Sequence, residues 1–273
     1  MSKTEDPLAQ GERDLRFRPA SGENLRRLTP EQIAFYNANG YLKGFRIYDA
    51  AEADANRRYF DRLLEQVTRD GQDSYSINGW HTRSQGIYDI VRHPVILDYV
   101  EDILGPDFVA WGTHYFCKLP GDGKPVSWHQ DASYWPLTPA HTVTVWLAID
   151  DADRENGCMR VIPGTHRLGH LAFDHSGAQE NSVLPQKIVN AKSYGEPVDF
   201  ELKAGEISLH SDMLVHGSEP NRSARRRCGL TIRYATTDVR SYQGWNKRSI
   251  LWRGEDPGAY WANLPRPETD VLE

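Results

Sequence analysis

The hydrophobic pattern of this chain changes period once, near Gly105, and that change narrows the folds open to it. Before Gly105 the apolar residues recur at helical spacing; after it they alternate in short runs broken by Pro and Gly. Thr29-Pro30-Glu31-Gln32 reads as a helix start, with Thr as N-cap, Pro at the first helical position and Gln closing a capping box; Gly40 stops it. Asp49 and Glu52 repeat that pattern. The helix they open carries Tyr59, Phe60, Leu63, Leu64 and Val67 on one face and ends near Gly71. A third helix is expected over Val95–Leu104. Strands are expected over Phe108–Lys118, Thr142–Ile149, Cys158–Ile162, Phe200–Leu202, Ile207–His210 and Arg227–Ala235. Helices followed by many short strands predict a mainly β domain with flanking helices. Neither an internal repeat nor a glycine-rich strand-to-helix turn is present, which disfavours a solenoid or a nucleotide-binding α/β fold. The expected organisation is a flexible segment over 1–28 and one domain over 29–273. Within it lie a helical part (about 29–105), a β core (about 106–240) and a C-terminal extension (about 241–273).

Composition removes several classes of function. The chain has 273 residues, 39% of them hydrophobic, enough for one large core. A net charge of -6 gives no basic footprint, so nucleic acid is not an expected partner. Runs of eighteen apolar residues are absent, so no membrane span is expected. The N-terminal residues are polar and lack the apolar stretch of a secretory leader. Cys117, Cys158 and Cys228 are odd in number and far apart, which suits neither a disulfide framework nor a zinc site. The expected location is a reducing, cytoplasmic one.

The chemistry concentrates at His129-Gln130-Asp131. In an extended chain, residues two apart point to one side, so an imidazole and a carboxylate can reach one metal. A further His would complete a two-histidine, one-carboxylate set with open positions, the arrangement of iron(II) oxygenases. A lone His-x-Asp is weak, and the chain holds a second one, His210-Ser211-Asp212. Chain order separates them. His216 is the last histidine and follows Asp212 too closely, whereas Asp131 leaves room for the intervening strands. Arg227 comes soon after His216. Its planar guanidinium suits the far carboxylate of a metal-bound 2-oxo acid. It shares one strand face with Gly229, Thr231 and Arg233.

Three blocks then resemble the phytanoyl-CoA dioxygenase family: His129-Gln130-Asp131, the segment from Glu155 to His166, and the segment from His216 to Arg227. The resemblance implies a double-stranded β-helix (jelly roll, cupin-like), iron(II), 2-oxoglutarate and O2, usually with hydroxylation. It implies iron ligands at His129, Asp131 and His216 and a 2-oxoglutarate partner at Arg227. Trp146 and Ser218 match positions that line the co-substrate, and His114 and Lys118 match two more. Strand parity agrees independently: His114 and Lys118 share a face, as do Thr144, Trp146 and Ala148. One subgroup of that family halogenates, with a small residue in place of the carboxylate ligand. Asp131 implies hydroxylation or another oxidation instead.

The substrate is expected over the metal, at the barrel mouth, against Trp80, His81, Arg83, Tyr134, Trp135 and Arg233, with Asn181 in a covering loop. Arginine suits an anion and the aromatics an ammonium, so a small zwitterion or a natural-product intermediate fits better than an acyl-CoA. A cupin-like isomerase or binding protein would share the metal site but has no use for Arg227, and a zinc hydrolase with the same ligands lacks an obvious general base tied to the site. The extension holds three Trp. It suits either a homodimer contact or a cap over the mouth.

Overall fold

The computed structural model describes residues 13–176 and 181–272. The helices are α1 (Pro30–Asn39), α2 (Ala50–Arg69), α3 (Gln85–Val91) and α4 (Pro94–Leu104). Both capping boxes form. The Thr29 side chain accepts from the Gln32 amide and Gln32 accepts in return, while Asp49 and Glu52 do the same for α2. Gly40 closes α1 in the left-handed conformation, φ 83°. Helix α3, capped by Ser84, was not expected. It is short and buried on most of its sides, so it shows no helical stripe.

The first strands are β1 (Tyr41–Arg46), β2 (Phe108–Lys118), β3 (Val126–His129) and β4 (Leu137–Thr138). Next come β5 (Thr142–Ala148), β6 (Met159–Val161), β7 (Phe173–His175), β8 (Gln186–Ile188) and β9 (Val198–Asp199). The last are β10 (Glu206–Ser211), β11 (His216–Ser218), β12 (Arg227–Thr236), β13 (Arg240–Ser241) and β14 (Ile250–Arg253). A six-stranded sheet has the order β1-β10-β5-β12-β2-β14 and a four-stranded sheet the order β3-β11-β6-β9, with every pairing antiparallel. This is a double-stranded β-helix. The outward side chains of its central strands, Val143, Val145, Leu147, Cys228, Leu230, Ile232 and Tyr234, pack with Phe60, Leu63 and Val67 of α2 and Ile96, Val100 and Ile103 of α4. The opposite parity, Trp146 with Arg227, Thr231 and Arg233, lines a cavity between the sheets.

Several expectations need correction. Residues 13–28 are packed rather than loose. The Arg13 guanidinium donates to the Ala132 and Trp135 carbonyls at 2.9 and 2.6 Å, and the amides of Arg26, Arg27 and Leu28 all donate to the Asp102 carboxylate. Those partners lie far along the chain, so charge composition alone reads as solvated. The stretch expected as a strand at Phe200–Leu202 is instead β9 just before it, plus a single bridge from Leu202 to Ala152. The β core is not confined to 106–240. Its large sheet takes one edge, β1, from the helical part and the other, β14, from the extension.

Candidate active site

His129 ends β3 and His216 begins β11, and the two are register partners. Gln130 is extended (φ -107°, ψ 129°) and carries Asp131, at the start of a 3-10 turn, to the same side as His129. Gln130 itself is wholly buried. Its amide nitrogen donates to the Gly169 and Met213 carbonyls at 2.9 and 2.8 Å, and its oxygen accepts from the Leu171 amide. The residue between the two ligands is therefore a fixed strut, a role the sequence did not reveal.

One ligand atom from each of His129, Asp131 and His216 lies within 4.8 Å of the other two. His129 Nδ1–H donates to the Ser127 carbonyl at 2.7 Å and His216 Nδ1–H to the Leu214 carbonyl at 2.9 Å. These bonds set the tautomer, leaving both Nε2 lone pairs free and facing Asp131 at 3.5 and 3.8 Å. Burial opposes the charge on Asp131, but His216 and the contacts with His129 and His210 outweigh it and hold the carboxyl well below its usual range. Burial, then the neighbouring His129, pushes His216 well below the ordinary imidazole range. Two neutral imidazoles and one carboxylate form a donor set suited to a divalent transition metal. The second carboxylate oxygen accepts from Thr144 Oγ1 at 3.3 Å. His210, from the second His-x-Asp, lines the cavity beside the cluster with Nε2 3.8 Å from that oxygen. Asp212 does not join the cluster. Burial, and next the Asp131 charge, raises its carboxyl to about 8.

The cluster opens on a cavity of about 210 Å³. Arg227, 2% exposed, lies in its wall. Its guanidinium donates to the Gly157 carbonyl from two nitrogens, to the Phe116 carbonyl and to Ser218 Oγ. All of these acceptors are neutral, so a buried cation faces the cavity without a carboxylate. Trp146 flanks it, with the guanidinium carbon 5.8 Å from the ring centre. Gly229 makes room for Trp146, since a Cβ there would lie 2.0 Å from the indole. Replacing Gly229 by alanine is therefore expected to displace Trp146. The expected cost is about 1–3 kcal/mol of stability, the usual price of overpacking, with weaker 2-oxoglutarate binding. Thermal unfolding and a 2-oxoglutarate titration read both, and wild-type values in each would contradict this packing.

Residues 36–229 match the family described as Phytanoyl-CoA dioxygenase (PhyH). The chain belongs to the phytanoyl-CoA dioxygenase family. It is 31% identical over 276 residues to a phytanoyl-CoA dioxygenase of Arabidopsis thaliana, covering 84% of this chain and 95% of that one. Its fold is similar to that of the non-heme monooxygenase ThoJ in the apo form, with a TM-score of 0.75, 31% identity and 87% and 88% of the two chains covered. EctD from S. alaskensis, solved with 2-oxoglutarate and 5-hydroxyectoine, shares the fold at a TM-score of 0.70 and 17% identity, over 96% and 93% of the chains. The protein is a non-haem iron(II)- and 2-oxoglutarate-dependent dioxygenase. The residues on hand fit both groups: the triad offers the metal its donors, and Arg227 offers an unneutralised buried cation.

Within this family frame, the other expected site residues divide. Ser218, Trp146, His114, Tyr134, Trp135 and Arg233 line the cavity. His114 Nε2–H donates to the Tyr75 carbonyl, and burial together with Arg233 lowers its imidazole to about 4. Lys118 does not reach the cavity. It is fully buried behind Arg227 and donates to the Lys124 and Glu219 carbonyls, and burial and then Arg227 lower its ammonium to about 6. Trp80, His81 and Arg83 also lie elsewhere. Arg83 stacks on Trp80 at 3.9 Å, and His81 bonds to Thr113 and to the Arg248 carbonyl, tying down the extension. Their aromatic and basic character suited a site, but composition cannot say which side of β2 a turn packs on. Asn181, in the left-handed region, lies outside the cavity, while the nearby Leu184 enters it. Thr231, on the strand face expected to carry Arg227, also lines the cavity, and Asn78 and Trp245 are further lining residues that the sequence reading missed. Trp245 belongs to the extension, so part of that segment lines the cavity of its own domain.

Proposed function

We propose that this dioxygenase hydroxylates an unactivated C–H bond of a small polar or zwitterionic metabolite, an amino acid derivative, aminophosphonate or natural-product intermediate. The observation that carries the reading is the meeting, in one cavity, of the His129-Asp131-His216 cluster with the buried Arg227. Iron(II) held by the cluster supplies the oxidising chemistry with O2 and 2-oxoglutarate. The chain's own part is placement. Arg227 and Ser218 orient the co-substrate, Trp146 and Phe116 exclude water from it, and Tyr134 and Trp135 border the space for the target carbon. Retention of Asp131 as a ligand supports hydroxylation over halogen transfer, as it fills the position a halide would need. The three buried free cysteines suit a cytoplasmic setting, and no helix among the described residues is long and apolar enough to cross a membrane.

The test is oxygen-dependent succinate formation across a panel of amino acids, aminophosphonates and natural-product intermediates. Anaerobic addition of iron(II) and 2-oxoglutarate should also give a weak visible charge-transfer band. An isomerase, a binding protein or a zinc hydrolase would show neither signal, and that outcome would overturn the reading.

A further inference from the structure

Arg227 has a counterpart at the other end of the same strand face. Arg233 sits six residues along β12 at the same parity, roughly 20 Å away for an extended strand, and it too lines the cavity. It is register-paired with Thr144 of β5 and Gly112 of β2. A Cβ at Gly112 would stand in ordinary contact with Arg233, 3.4 Å from its Cδ, so the Arg233 side chain lies across the face of β2. The β2–β12 pairing shifts register directly after Arg233, as a bulge that re-aims a side chain does.

Two aromatic rings flank the guanidinium: its carbon is 5.2 Å from the Trp135 ring centre and 5.7 Å from that of Trp111. Trp111 in turn packs edge-on against Trp135 and beside Trp245. These rings hold the cation in place but bring no negative charge. Among the described residues Arg233 has no ion pair and no hydrogen bond, and its Nε is a buried donor without a partner. Burial lowers its affinity for the proton, with only the charge of Asp131 acting the other way. A guanidinium held by stacking, with its donor edge unpaired, is a poor device for stability. It is a good device for gripping an anion that arrives from the cavity.

We propose that Arg233 is the anchor for an anionic oxygen group, a carboxylate or a tetrahedral oxyanion, on the molecule that this enzyme oxidises. The anchor rests on the substrate reading above and narrows it: the substrate carries an anionic group at Arg233, with the rest of the molecule along the Trp135 and Trp245 wall. The cavity thus has two cationic ends. Arg227 takes the co-substrate and Arg233 takes the substrate, so each acid is directed to its own end.

The experiment is an anion titration that needs no turnover. Protein loaded with zinc(II) and saturating 2-oxoglutarate is titrated with acetate, inorganic phosphate and neutral acetamide, read by calorimetry and tryptophan fluorescence. The wild type is expected to bind acetate or phosphate saturably and acetamide not at all. The Arg233→Met variant is expected to lose roughly tenfold or more in that affinity, the worth of one charge-assisted contact, while still binding 2-oxoglutarate. Preference for acetate or for phosphate tells a carboxylate substrate from an oxyanion one. Anion binding that is missing in the wild type, unchanged in Arg233→Met, or matched by acetamide overturns the proposal. If 2-oxoglutarate itself fails to bind, the functional reading falls. The anion titration is then repeated on Arg227→Met protein, where Arg233 alone remains to answer.

Discussion

Replacing Asp131 by alanine is expected to abolish both metal binding and oxygen-dependent succinate formation. Asp131 is the only charged donor in the cluster, and both histidine Nε2 atoms point at one of its oxygens. Without it, two neutral imidazoles remain, too few to hold a labile divalent ion against water. Even a partner that merely supports a metal ligand is worth 10–100-fold in affinity, so the loss of a ligand should cost on the order of 10²-fold or more. Calorimetric titration with zinc(II) measures the affinity directly, and succinate assays measure the consequence. The Asp212→Asn variant is the control. Asp212 belongs to the second His-x-Asp, and its carboxyl is raised by burial and by the Asp131 charge. It should retain metal binding. The reverse pattern, with metal lost in Asp212→Asn and kept in Asp131→Ala, would place the metal on His210-Ser211-Asp212 instead.

The parts of this structure that were legible in the sequence are those whose physics is local. A capping box needs only four residues, so the starts of α1 and α2 could be read from Thr29 with Gln32 and from Asp49 with Glu52. The bounds of β2 and β12 followed from alternation, because one parity meets α2 and α4 and the other meets the cavity. What escaped was set by distant partners. Tyr41–Arg46 becomes a strand because β10 offers an open edge, and Ile250–Arg253 because β2 offers the other. Asp102 gathers the amides of residues 26–28 across a long stretch of chain. The lining of the site shows the same division. Residues on the two sheets could be assigned a face by parity. Those on loops and turns, Asn78 and Trp245 in the cavity, Trp80, His81 and Arg83 out of it, could not. Gln130 was passed over because its three hydrogen bonds all reach other elements.

Replacing Arg227 by lysine is expected to weaken 2-oxoglutarate binding by about 10–100-fold, although the formal charge is kept. The guanidinium uses Nε and one terminal nitrogen on the Gly157 carbonyl and its other terminal nitrogen on the Phe116 carbonyl, which fixes its plane. That fixed plane aims the one remaining N–H, together with the N–H now donated to Ser218 Oγ, at a carboxylate in the cavity. A lysine ammonium in the same space would satisfy one or two of the carbonyls and present a point charge. Loss of one charge-assisted bond costs about 1.5–3 kcal/mol, and about 1.4 kcal/mol is a factor of ten. The thermal shift on adding 2-oxoglutarate gives the clearest reading, because a ligand raises stability in proportion to the logarithm of its excess over Kd. In the wild type the shift should be large. In Arg227→Lys it should shrink markedly, while zinc(II) affinity, set by His129, Asp131 and His216, stays close to that of the wild type. If 2-oxoglutarate shifted both proteins equally, Arg227 would be a structural cation only. The unneutralised charge in the cavity wall would then need another ligand to explain it.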